Sequence, residues 1–156
     1  MIEPLQTDLA WAAGIVDGEG SICLIKCHRQ DEYGLRYGWD LRVDVGNTDP
    51  RMLIRLRAIF GCGGIGPNSK DNRPNRLPSW GIHWHGNNAA EVLRLIRPFL
   101  VIKGEQADVA LESSAFVRHD KRADVKKADA MNQCHLKLRG LKKKRLSLIE
   151  AERVIH

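Results

Sequence analysis

Two carboxylates separated by one glycine, in the run Asp17-Gly18-Glu19-Gly20, have the clearest capacity for chemistry in this chain. Carboxylate oxygens beside unencumbered backbone carbonyls suit a hard divalent cation. The residues before them, Leu9-Ala10-Trp11-Ala12-Ala13-Gly14-Ile15-Val16, read as a helix that delivers those oxygens at its end. Ala10, Ala13, Gly14 and Asp17 fall at i, i+3, i+4 and i+7, so one helix face carries almost no side-chain bulk. Glycine inside a helix costs about 1 kcal/mol relative to alanine, and close packing against another backbone offsets that cost. The partner such a face implies is a second copy of the chain. A thiolate-metal chemistry has less support. Cys23 and Cys27 could be combined with His83 and His85, but the spacing fits no zinc finger or ribbon.

The elements that position these groups follow from periodicity and punctuation. Thr7 or Asp8 is the expected N-cap of a helix over residues 9–17, and a strand follows from Gly20 to about His28. Ile22 and Leu24 suit its core side, leaving Ser21, Cys23, Ile25, Cys27 and Arg29 outward. After a polar, turn-rich stretch at 29–38, residues 39–46 alternate strictly: Trp39, Leu41, Val43 and Val45 inward, Asp40, Arg42 and Asp44 on an open charged face. Asp49 caps and Pro50 starts the next helix, which carries Leu53, Leu56, Ile59 and Phe60 and ends at Gly61. Residues 62–70 and 78–85 form a second hairpin around the polar tip 71–76, and Asn87 or Asn88 caps a helix through Leu93, Leu95 and Ile96. A short apolar extended run, Pro98 to Ile102, leads to a helix over about 105–117. Two further helices are expected at about 123–138 and 142–155, around Gly140. The four tryptophans, Trp11, Trp39, Trp80 and Trp84, are expected in the core.

This pattern is an α+β fold of plan αββαββα, whose four-stranded antiparallel sheet has helices on one face and an open face for a partner, plus extra C-terminal helices. At 156 residues with 43% hydrophobic content the chain can bury one core, and no tract approaches transmembrane length. No membrane partner is expected. The start, MIEPLQTD, lacks a basic region followed by an apolar run, so an intracellular, reducing location with free thiols is expected. The net charge of +6 is unevenly placed. Residues 118–145 hold eleven lysines and arginines against three aspartates, a local balance of +8. Such a segment on a near-neutral body favours a polyanion.

The run Ala12-Ala13-Gly14-Ile15-Val16-Asp17-Gly18-Glu19-Gly20 resembles the signature of the LAGLIDADG homing endonucleases, with Glu19 in place of the second aspartate. Pro98-Phe99-Leu100-Val101-Ile102-Lys103 is similar to a second stretch of that family, and the resemblance extends over about residues 8–118. It implies an endonuclease core at 1–118, its sheet a DNA-binding saddle. Residues 119–156 form a basic helical extension packed on the same domain, in which no family motif is recognised. By the resemblance, Glu19 and the carbonyl of Gly18 hold Mg²⁺, and Lys103 is the basic residue beside the reacting water. Asn47 and Arg51 occupy positions of residues that arrange solvent. The local alternative is that these last two serve the start of a helix.

One such carboxylate cannot cut two DNA strands. A single motif therefore implies a homodimer joined through Ala10, Ala13, Gly14 and Asp17, acting on a long, near-palindromic site. Asp17 also has a structural reading, as an acceptor for backbone donors. Recognition of double-stranded DNA falls to Arg29, Arg42, Asp44, Lys70, Arg73, Arg76 and His83 on the hairpins. The activity implied is sequence-specific, metal-dependent double-strand cleavage leaving 3′ overhangs, in the service of intron or intein homing. Relatives that act as RNA-splicing maturases, or as non-cleaving DNA-binding regulators, keep two other readings open.

Overall fold

The computed structural model describes residues 4–31, 34–68, 77–115 and 125–143, and the side chains of these except 28–31, 34–37 and 125–127. In chain order the elements are α1 (Gln6–Glu19), β1 (Gly20–Asp31), β2 (Gly34–Asn47), α2 (Pro50–Phe60), β3 (Gly64–Pro67), β4 (Trp80–His85) and α3 (Gly86–Ile96). A 3-10 turn at Arg97–Phe99 then leads to α4 (Gly104–Ser114) and α5 (Val125–Lys143). The strands form one antiparallel sheet in the order β1-β2-β4-β3. This is the α+β architecture expected from the sequence.

Strand alternation sorts the two faces of the sheet as the sequence requires. Ile22, Leu24, Leu41, Val43, Val45, Ile82 and Trp84 are buried, against Leu9, Ala12, Ala13 and Val16 of α1, Leu53 and Leu56 of α2, and the apolar side of α3. The opposite face, with Ser21, Cys23, Arg42, Asp44 and His83, stays partly accessible. Trp84 anchors the core: its indole N–H donates to the Cys62 carbonyl at 3.0 Å, and Phe60 meets its ring edge-on at 5.5 Å. Such aromatic pairs add to the stabilisation from burial alone. Asp49 caps α2 through the Arg51 N–H at 3.0 Å, and Gly61 closes that helix with φ 66°. Both follow ordinary capping chemistry.

Several local expectations are corrected. α1 starts at Gln6 with Leu5 as N-cap, because the Asp8 carboxylate is used elsewhere, pairing with Arg55 at 3.2 Å. The first hairpin is longer than read: β1 and β2 pair as far as Asp31 and Gly34, absorbing most of the stretch taken as a turn. β3 is only four residues. Neither Asn87 nor Asn88 caps α3, which leaves β4 directly through Gly86 at φ 53°, a conformation that favours glycine. The apolar run at 98–102 is partly a 3-10 turn rather than extended, and α5 continues through Gly140. Trp80, the first residue of β4, is on the side of the sheet that carries Ile82 and Trp84 but beyond the packed core, 38% exposed, and Trp11 is half-buried with the Arg55 guanidinium 4.4 Å from its ring centre.

Gly20 turns the chain from helix to strand in a single residue, with φ −84° and ψ 162°. A Cβ there would lie 2.6 Å from the Val16 carbonyl oxygen and 2.8 Å from its Cα. Those atoms are backbone and cannot swing aside. Gly20→Ala is expected to destabilise the fold by about 1–3 kcal/mol, as overpacking does, read as a lower urea midpoint at unchanged slope.

Candidate active site

The carboxyl end of α1, the turn at 100–103 and the first residues of β1 meet at one end of the sheet. Asp17 organises the meeting. Its Oδ2 accepts the Val101 N–H and its Oδ1 the Lys103 N–H, each at 2.8 Å. The Lys103 ammonium in turn donates to the Asp17 carbonyl oxygen. Asp17 therefore does accept backbone donors, but donors 84 and 86 residues further along the chain.

Two residues on, Glu19 is exposed, and among the described residues it is engaged in no hydrogen bond or ion pair. Helix carbonyls in a last turn lack intrahelical donors; here Val16 accepts the Gly20 N–H and Asp17 the Lys103 ammonium, which leaves the Gly18 carbonyl as the candidate ligand. A Cβ on Gly18 would meet nothing within 4 Å. Lys103 stands beside this carboxylate. Burial lowers its pKa from the ordinary lysine value; Asp17 opposes that shift, Lys142 reinforces it and Glu19 opposes it. A carboxylate, the Gly18 carbonyl and one restrained ammonium are a donor set chemically suited to a hard cation next to an anion.

Asn47 lies at the same end of the sheet, since Gly20 pairs with Val45 two residues before it. Its side-chain oxygen accepts the Asp49 N–H at 2.8 Å. Arg51 is engaged with Asp49, at 2.6–3.0 Å through its guanidinium, and hydrogen bonding to it holds the Asp49 carboxyl down to about 2. Both residues thus support the start of α2 at the edge of the site.

On the open face the charged residues form a network. The Arg42 Nε donates to Asp44 Oδ1 at 2.6 Å, and the His83 Nδ1 lies 2.6 Å from the same oxygen. Asp44 is an acceptor only, so Nδ1 of His83 carries a hydrogen and Nε2 is left for another partner. A second pair, Asp40 with His85, forms alongside at 2.8 Å. Lys70, Arg73 and Arg76 lie outside the described residues, as does the Arg29 side chain. β2 separates β1 from β4, so Cys23 and Cys27 share no strand pair with His83 and His85. All four cysteines are free.

The small-residue face of α1 divides in two. Ala13 is fully buried against the chain's own core, whereas Ala10, Gly14 and Gly18 are exposed. The exposed stripe therefore runs at spacing four, 10-14-18, and Ala13 is corrected to a core residue. Asp17, half-buried, holds the 100–103 turn. Missing from the sequence-based set is Lys142. Its ammonium donates to Ser21 Oγ at 3.3 Å and Cys23 Sγ at 3.2 Å. Only its membership in the basic run was visible beforehand.

No family model matches the chain, and no curated protein does. Solved structures do. The homing endonuclease I-CvuI, in complex with DNA in the presence of 2 mM Mg, superposes with a TM-score of 0.72 at 23% identity, over 96% of this chain and 91% of that one. The archaeal intron-encoded homing endonuclease I-Vdi141I, complexed with DNA, gives 0.70 at 15% identity, over 96% and 92%. The meganuclease I-SmaMI, a LAGLIDADG homing endonuclease, gives 0.67 at 14% identity over 90% of this chain but 47% of its own. The resemblance seen in the motif helix is matched in three dimensions: the chain has the fold of LAGLIDADG homing endonucleases.

The two Asp17 oxygens have separate donors, a demand an amide cannot meet, since it offers one oxygen and places an NH₂ against the other N–H. Asp17→Asn is expected to cost about 1–3 kcal/mol and to speed amide hydrogen exchange at Val101 and Lys103. Unchanged exchange at both would refute the clamp.

Proposed function

We propose that the chain is a homing DNA endonuclease that makes metal-dependent double-strand breaks as a homodimer. The observation that carries this reading is the exposed Glu19 carboxylate, without a hydrogen bond or ion pair among the described residues and set beside Lys103 at the edge of an open sheet face. A pure binding protein gains nothing from a carboxylate there, because it repels phosphates.

The donors fit Mg²⁺, which takes hard oxygen ligands and is commonly held by one or two carboxylates together with water and substrate phosphates. Glu19 and the Gly18 carbonyl would supply the protein's share. Among the described residues no group of three His, Cys, Asp or Glu could hold a metal alone, and water, DNA phosphates and a second copy would complete the ligand set. When bound, the ion activates water and offsets charge at the phosphate. Lys103, restrained at the Asp17 carbonyl, places a positive charge where the phosphate gains negative charge. Asn47 and Arg51, at the margin, order solvent near the attacking side. The Arg42-Asp44-His83 network, with the Arg29, Lys70, Arg73 and Arg76 side chains, reads base edges in the major groove.

Dimer formation follows from the 10-14-18 stripe, whose small residues let two copies of α1 approach closely. This chain matches nearly the whole of I-CvuI and about half of I-SmaMI, consistent with a unit that can act as a pair. Two-fold symmetry then gives a near-palindromic site, cut across the minor groove to leave 3′ overhangs. Residues 119–156 act as a basic extension on the core. The gene would serve intron or intein homing.

A plasmid carrying the uninterrupted form of the gene that houses the coding sequence is the substrate for the decisive test. Glu19→Gln is expected to bind it as the wild type does and to cut at least about 100-fold more slowly in Mg²⁺. Tight wild-type binding with no cutting would sink the nuclease reading in favour of a regulator or an RNA-binding maturase. A separate variant probes the interface. The space beside Gly14 is open within one copy, so Gly14→Leu is expected to stabilise the single fold by up to about 1 kcal/mol through helix propensity. The same variant blocks close helix approach, and sedimentation should report a monomer. A Gly14→Leu dimer indistinguishable from the wild type would remove this interface.

A further inference from the structure

The basic C-terminal segment has no role in the site as described so far, yet one of its lysines reaches it. α5 packs by Met131, Cys134 and Leu138, all buried, and follows the free edge of β1, where the His135 imidazole hydrogen-bonds the Leu24 carbonyl at 3.1 Å. The helix thereby covers a strand edge that is otherwise open to wrong pairing. Its last described turn emerges on the other side of that edge. Ile22 and Leu24 point into the core, so Ser21 and Cys23, between and beside them, point to the open face, and it is these two that the Lys142 ammonium touches. Ser21 pairs across the sheet with Asp44, and Cys23 with Arg42.

Three features distinguish Lys142 from an ordinary surface lysine. Its contacts are a hydroxyl and a thiol, and among the described residues no carboxylate pairs with it. It is near enough to Lys103 for the two positive charges to disfavour each other. The Ser21 hydroxyl it touches is two residues after Glu19, between the end of the sheet that carries Glu19 and the open face that carries Arg42, Asp44 and His83. Two ammonium groups this near one another, of which Lys142 has no carboxylate partner among the described residues, are at their most stable with an anion between them.

We infer that Lys142 is a second phosphate-binding lysine of the cleavage site, gripping the DNA backbone at the cut together with Lys103. The inference rests on the nuclease reading and gives the basic helix a part in it: α5 braces the edge of β1 and delivers a cation that neither hairpin supplies.

The test uses the full chain as wild type, Lys142→Ala and Lys142→Arg, on a duplex recovered by the protein from a randomised DNA pool. Binding in EDTA across a salt series should show the slope of log affinity against log salt reduced by about one in Lys142→Ala, as for one lost phosphate contact. Single-turnover cutting in Mg²⁺ at saturating protein should fall on the order of 10- to 100-fold in Lys142→Ala. Lys142→Arg should recover most of both, and thermal melting should not change among the three. An unchanged salt slope overturns the inference, as does a saturating rate equal to wild type, which would put the phosphate contact away from the cut. A lowered melting temperature with no recovery by arginine also overturns it, reducing Lys142 to a brace. If the wild type cuts nothing while Lys142→Ala still lowers the slope, the nuclease reading fails and the phosphate contact stands.

Discussion

One carboxylate holds the functional end of the molecule together. Asp17 terminates α1, yet both its oxygens are spent on the backbone of a turn that the chain reaches only after building the whole sheet and two more helices. Hydrogen bonds to an ionised acceptor are stronger than neutral ones, and these two fix the turn that carries Lys103. The reverse contact, from the Lys103 ammonium to the Asp17 carbonyl, closes the loop. Glu19 is therefore presented from a helix end tied to the 100–103 turn. The neighbouring motif carboxylates divide the labour: one is consumed by structure so that the other can stay free.

That division also explains which parts of the site the sequence revealed. Helix, cap and strand alternation are local, and the Asp49-Pro50 start of α2 or the inward set Leu41, Val43, Val45 could be read directly. The side of α1 that faces the core is not local. Alanine is small enough for either environment, so Ala10 and Ala13 look alike in sequence, while folding buries one and exposes the other. Asp17 could be assigned backbone donors but not their location, because the partners come from tertiary closure. Lys142 was lost for the same reason. Its placement depends on α5 following the β1 edge, and nothing in the run of lysines singles out the one that crosses it. Trp80 misled by composition: an aromatic in phase with Ile82 and Trp84 usually packs, but this one begins β4 at the end of the sheet, past the helices that cover the core.

The open face has an electrostatic character that a count of its charges hides. Arg42, Asp44 and His83 satisfy one another, as do Asp40 and His85, so this part of the sheet carries little unpaired charge. Held side chains suit recognition more than attraction. A guanidinium already fixed by a carboxylate loses less side-chain freedom when it meets a base edge, and with Nδ1 bonded to Asp44 the His83 ring presents a defined Nε2. Attraction to a polyanion must then come largely from elsewhere, and the chain's excess positive charge lies in residues 118–145. Specificity and affinity are in this way assigned to different segments.

Such separation leaves the acidic site in need of local compensation. On the nuclease reading, Glu19 alone would repel a DNA phosphate, and Lys103, its ammonium already committed to the Asp17 carbonyl, offsets that only in part. The basic helix resolves the difficulty if its charge is delivered at the site rather than spread around it. The free edge of β1 permits this, because a strand edge lets a helix pass from the core side to the open side without breaking the sheet. An edge that must be covered against mispairing thus becomes the route by which positive charge reaches the end of the sheet that carries Glu19 and Lys103.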